Sequence, residues 1–227
     1  AGSGGEQKAA VANANVPDKN SEGNVPPSGR TIQPPSNTIA FENKQTGLKG
    51  DLYRNFIGFS LYYPNDWKFI GPQASTDGKT RGKFLDISRM TQDGRLAEQM
   101  LVSYYPSNGT FNDDSVKFSE MVSETNETLR QLIPNYQMVS EGATRLNDGW
   151  RAYEIRFQGS GTDAAGEKLE VWGRRLFVPV ARPGVRAGYS ITMLATSNSA
   201  EDHSVDDVGN NDQLAKILET FEPSRNF

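Results

Sequence analysis

The sequence predicts an α+β fold: a central, mostly antiparallel sheet with helices packed on it as an α-β-α sandwich. Three observations carry that expectation. About seven stretches alternate apolar and polar residues at period two, the pattern of half-buried strands. Many are joined by tight turns, which favour antiparallel pairing. Two helices, one mid-chain and one near the C-terminus, each carry a single apolar stripe that needs a sheet face to cover.

Residues 1–50 read as a flexible tether. Pro17, Pro26, Pro27, Pro34 and Pro35 break any periodicity, and the stretch offers too little apolar surface to offset its ordering entropy. Ile39, Phe41 and Leu48 are the first residues able to anchor it. Residues 51–227 suit one domain with a single core. In Phe56–Tyr63, Ile57, Phe59, Leu61 and Tyr63 alternate with Gly58, Ser60 and Tyr62. Pro64 cannot donate to a ladder and ends that strand, and Trp67 brings a large apolar surface back to the core.

After the polar loop Gly71–Gly82, Leu85 and Ile87 mark a short strand. Glu98–Tyr105 is the next, with Asp93-Gly94 as the hairpin turn. Asp113–Ile133 is the clearest helix. Phe118, Met121, Val122, Thr125, Leu129, Leu132 and Ile133 form its stripe, Asp113, Asp114 or Ser115 caps it, and Pro134 closes it. Tyr136–Thr144 and Trp150–Phe157 are strands about an Asn147-Asp148-Gly149 turn, and Gly159–Gly166 is a loop of small residues. Lys168–Val180 and Gly188–Thr196 form a long hairpin around Arg182-Pro183-Gly184. In the last helix Asn210 and Gln213 have capping-box spacing. Leu214, Ile217, Leu218 and Phe221 are its apolar face, and Pro223 ends it.

Composition narrows the function. Residues 1–50 hold five Lys/Arg against four Asp/Glu, so the remainder holds 19 against 24 and carries −5 of the net −4 charge. An acidic domain lacks the basic footprint that nucleic-acid binding needs. No apolar run approaches the roughly 18–20 residues that span a bilayer. With no cysteine, disulfides, thiolate metal sites and a Cys nucleophile are excluded.

Catalysis through a Ser–His–Asp constellation would have to use His203, the single histidine. Ser197, Ser199 and Ser204 lie near it, but there is no Gly-x-Ser-x-Gly elbow, and a solvated loop histidine is the ordinary reading. Glu201, Asp202, Asp206, Asp207, Asn210, Asn211 and Asp212 offer hard oxygen ligands for calcium, out of EF-hand spacing. An acidic solvated loop accounts for them equally simply. Gly159-Ser160-Gly161-Thr162 lacks the ending of a phosphate-binding loop. Arg174, Arg175, Arg182 and Arg186, with Trp172, gather around the long hairpin and are the candidate partner surface, because guanidinium forks match carboxylates and phosphates. Tyr62, Tyr104, Tyr105 and Trp172 would add an interaction surface if exposed together, and are core if covered.

Phe56-x-Gly58-Phe59-Ser60-Leu61-x-Tyr63-Pro64-x-x-Trp67 resembles the first core strand of the PsbP-like family. That family takes in the extrinsic PsbP proteins of photosystem II and related bacterial exported or lipid-anchored proteins. The following order is similar too: a strand pair, a helix, a meander, a long hairpin and a C-terminal helix. The resemblance implies a non-catalytic module, without cofactor, that binds a larger assembly. His203 stands in a different setting from the proposed PsbP metal ligands, so no metal ligand carries over. Ala1 to Gly5 resemble the residues that follow the lipid-carrying Cys of a bacterial lipoprotein, with a plain linker as the alternative. The expectation is an extracytoplasmic binding or assembly module acting through a protein partner, touching a membrane only through an N-terminal lipid anchor. The alternative is a small-ligand or calcium binder, and after it a hydrolase using His203.

Overall fold

The computed structural model describes residues 32–224 apart from 79, 147–148, 164–165, 181–184 and 202–203. Most of the tether, the Asn147-Asp148 pair, the Arg182 hairpin tip and the pair Asp202 and His203 therefore lie outside the described residues.

In chain order the elements are β1 (Thr38–Glu42), α1 (Gly50–Arg54), β2 (Phe59–Pro64), β3 (Lys68–Ile70), β4 (Lys83–Met90) and β5 (Leu96–Pro106). Then come α2 (Phe111–Asp114), α3 (Phe118–Leu132), β6 (Gln137–Arg145), β7 (Arg151–Thr162) and β8 (Lys168–Val178). The chain ends with β9 (Ala187–Thr196), α4 (Gln213–Glu219) and β10 (Glu222–Pro223). Seven strands make one antiparallel sheet in the order β3-β4-β5-β9-β8-β7-β6, and β1-β2-β10 make a second, smaller one.

The result is an α+β sandwich. One face of the large sheet is covered by α3, whose Phe118, Met121, Val122 and Leu129 pack on Tyr105, Phe157 and Phe177. On the other face the outer layer is built jointly by the small sheet and α4. Phe59 and Leu61 of β2, with Leu214, Ile217 and Phe221, close over Phe84, Tyr189 and Ile191. Phe59 stacks on Phe221 at 5.1 Å, and the Tyr189 hydroxyl donates to the carbonyl of Gly58 at 2.8 Å. Burial of each such ring contributes about 2 kcal/mol. The opening strand of the sequence reading thus lies under the core it was expected to organise.

Several boundaries differ from the sequence reading. The fold begins before residue 51, because β1 pairs with β2: Ile39 lies opposite Tyr63, and the Phe41 ring sits 5.6 Å from Phe59. β3 extends a segment too short to show periodicity, and α1 is a single turn. The long helix is split by a 3₁₀ turn at Ser115–Lys117 into α2 and α3, and its first cap is Thr110, whose side chain accepts from the Asp113 N–H. Gly159 and Gly161 lie within β7, which pairs with β8 as far as Thr162, rather than in a loop.

Candidate binding site

Alternate side chains of a strand point to opposite faces, and on β7 and β8 this places charge beneath α4. Arg156 lies directly opposite Arg174 in the ladder, with Glu154 on the same face two residues earlier. Glu154 Oε1 accepts from Arg156 Nε at 2.8 Å and its Oε2 from Arg174 Nε at 2.5 Å. Arg156 Nη1 then donates to the carbonyl of Val205 at 2.7 Å. Arg174 Nη1 donates to the carbonyl of Gly209 at 2.6 Å and to Asn210 Oδ1 at 3.2 Å. The two guanidiniums therefore staple the loop after β9 onto the sheet. Burial, together with the neighbouring Arg156, lowers the pKa of Arg174, while Glu154 opposes that fall.

The staple needs a glycine. Gly209 has φ +68°, and a Cβ there would lie 2.8 Å from Met193 Sδ, so a side chain would be strained and would clash. Asp212 then starts α4: its carboxylate accepts from the N–H of Gly209 at 2.9 Å and of Ala215 at 2.7 Å. The capping residue is thus Asp212; Asn210 instead contacts Arg174. Between this floor and α4 lies a cavity of about 240 Å³, walled by Trp150, Leu218 and Phe221 and flanked by Arg145 and Glu219.

The hairpin residues singled out in the sequence are distributed as follows. Arg174 is buried in the floor just described. Arg175 points to the α3 face, where its Nε donates to Ser190 Oγ at 3.0 Å and its guanidinium stands 5.3 Å over the Phe177 ring. Burial, and then the charge of Arg81, pull its pKa down to about 10, so it stays a cation at neutral pH. Trp172 is half-buried against the α4-side core. Arg186 is exposed at the base of the hairpin, its carbonyl accepting from the Ser107 N–H at 3.0 Å. Arg174 and Arg175 therefore belong to opposite faces, and Arg182 lies outside the described residues. Tyr104 and Tyr105 are buried, their hydroxyls donating to Asp51 and Asp114. Glu154 and Arg156 were not singled out in the sequence. Their signal was a period-two Glu-x-Arg inside a strand that was otherwise apolar on one face.

Of the acidic loop, Asp207 accepts from Ser204 Oγ, and Asp212 is buried as a cap. Among the described residues no group of three or more His, Cys, Asp or Glu side chains is placed to hold a metal ion. No helix among them is long and apolar enough to cross a membrane.

The edges of the sheets offer a second feature. Among the described residues β6 ends the large sheet, nine residues long and paired with β7 alone, with a register shift between Met138 and Ser140. Seven of the nine are exposed, with Met138 and Val139 at 40% and 48%. β3, at the other end, has three residues.

Fold and site together define a sheet-dominated α+β sandwich with a charged pocket beneath its C-terminal helix and a long open sheet edge. No family model matches the chain, and no curated protein matches it. Among solved structures it is similar to LpqN, a protein involved in cell envelope biogenesis of Mycobacterium tuberculosis. The two share 14% sequence identity with a TM-score of 0.40, over 82% of this chain and 90% of that one.

Proposed function

We propose that this protein is a non-catalytic, extracytoplasmic binding module that engages a protein partner through β6, taking an extended segment of that partner as an added strand. The observation that carries the reading is the open edge. A nine-residue edge strand with seven exposed residues, regular from Ser140 to Arg145 beyond its register shift, presents a row of backbone donors and acceptors ready to pair. Met138 and Val139 provide apolar contacts for alternate side chains of the incoming strand. The order of elements agrees with the PsbP-like resemblance, which implies binding to a larger assembly. The buried carboxylate of Asp114 and the half-buried one of Glu154 serve as hydrogen-bond acceptors that hold loops and strands together.

The test is a proline scan from Val139 to Ala143, read by cross-linked affinity capture from the source organism's envelope extract. Proline removes one N–H. At positions whose N–H points outward the fold survives, and a saturable partner is lost. If every folded proline variant retains that partner, the edge is not the contact. Cell fractionation that places the native protein in the cytoplasm would remove the extracytoplasmic part of the reading.

A further inference from the structure

We propose that the cavity over Arg156 and Arg174 binds a small carboxylate that carries a compact apolar body. Each guanidinium spends its Nε on Glu154 and its Nη1 on the loop, through Val205 for Arg156 and through Gly209 and Asn210 for Arg174. Neither Nη2 has a hydrogen bond to the described residues, while both side chains line the cavity. Two such donors from facing strands match the two oxygens of a carboxylate.

Charge selects the ligand class. Three guanidiniums (Arg145, Arg156 and Arg174) and two carboxylates (Glu154 and Glu219) line the cavity, leaving one surplus positive charge among its lining side chains. Asp212 also acts on Arg174; it does not line the cavity, so it weakens the attraction for an anion without competing for the guanidinium donors that face it. A monoanion balances this surplus, whereas phosphate, which carries between one and two negative charges at neutral pH, exceeds it. Trp150 and Leu218 in the walls favour an apolar body over a fully hydrated ion. The site stands on a different observation from the β6 edge, so either proposal survives the failure of the other.

The test is calorimetric titration of the full chain at neutral pH and low salt with benzoate, its neutral isostere benzamide, and inorganic phosphate. Benzoate is expected to bind saturably at one site, with benzamide weaker by at least about tenfold, the worth of a charge-assisted hydrogen bond. Replacing Arg174 would release the Gly209 loop, so the informative variant is Leu218→Trp, which fills the cavity and leaves both staples intact. It is expected to weaken benzoate by at least about tenfold with an unchanged melting curve. Ala215→Leu, on the same wall, is the second variant should the first fail to fold. The proposal is overturned by any one of four results: no saturable benzoate heat, equal binding of benzamide, tighter binding of phosphate, or full benzoate affinity in a folded cavity-filling variant.

Discussion

Arg156 and Arg174 stand directly opposite each other across β7 and β8, a pairing of like charges that ordinarily destabilises a ladder. Glu154 reverses its sign. One carboxylate accepts the Nε of both guanidiniums, and the repulsion that remains between them is offset by carbonyls drawn in from the loop after β9. A like-charge pair thereby becomes the anchor of the C-terminal layer.

Glu154→Gln is expected to destabilise the protein by about 3 kcal/mol, because it removes the carboxylate that two buried guanidiniums share. Urea unfolding measures this. The triple replacement of Glu154, Arg156 and Arg174 by apolar residues of similar volume is expected to recover only the part owed to uncompensated charge, because the Val205 and Gly209 carbonyls then lose their donors. A Glu154→Gln variant as stable as the parent would show that Glu154 does not hold the pair.

Asp51 ties α1 to the loop before β4. Its oxygens accept from Gly82 N–H at 2.7 Å, Ser75 N–H at 2.9 Å and the Tyr104 hydroxyl at 2.8 Å. Burial alone would raise its pKa; the Gly82, Ser75 and Tyr104 donors outweigh that and hold it below the ordinary 3.8. For the same contact, burial and then Asp51 push Tyr104 up to about 12. A carboxyl lowered on folding contributes stability that is present above its unfolded pKa and fades as pH falls through its folded one. Melting temperature is therefore expected to drop more steeply below pH 3.8 in the parent than in Asp51→Asn. At neutral pH that variant is expected to be roughly 1 kcal/mol less stable. Parallel pH profiles would remove the assignment.

How much of this was legible follows from the kind of signal each element carries. The alternation of Ile57, Phe59, Leu61 and Tyr63 was a local property, and all four are buried as expected. The α3 stripe was legible for the same reason from Phe118 to Leu129, but Leu132 is exposed and Ile133 lies past the helix end, where the chain leaves helical geometry and the 3.6-residue period no longer applies. β1 was not, because its five residues are held by pairing with β2 and show little burial of their own. β6 was placed correctly as a strand, but its position at the sheet edge follows from the order of strands in space, which no local pattern carries. The hairpin arginines were noticed as a group by nearness in sequence. The geometry that matters is alternation, which sends Arg174 and Arg175 to opposite faces and brings Arg156 from another strand to meet the first.

Asp114 is fully buried and accepts from the Tyr105 hydroxyl at 2.7 Å, Ser107 Oγ at 2.7 Å and Asn108 N–H at 2.6 Å. Burial, followed by the Asp114 charge, raises the pKa of Tyr105 well above 10, so its hydroxyl remains a donor throughout the working pH range. Tyr105→Phe is expected to cost about 2 kcal/mol in chemical unfolding, since a buried carboxylate loses one of its donors. A loss below about 0.5 kcal/mol, the lower end for a net hydrogen bond, would show that the carboxylate is satisfied without it.

The two readings of how α4 begins are separable by experiment. Capping-box spacing in the sequence pointed to Asn210, whereas in the structure Asp212 accepts from the Ala215 N–H and also from Gly209. A helix of seven residues is too short to persist on its own propensity, so its first turn depends on this cap. Asp212→Ala is expected to cost about 1 kcal/mol and to speed exchange of the Ala215 amide by about tenfold, provided that exchange proceeds by local opening. Asn210→Ala removes a contact with Arg174 but no helix donor, and is expected to leave the Ala215 amide as protected as in the parent. If the Asn210 variant exposes Ala215 and the Asp212 variant does not, the cap belongs to Asn210.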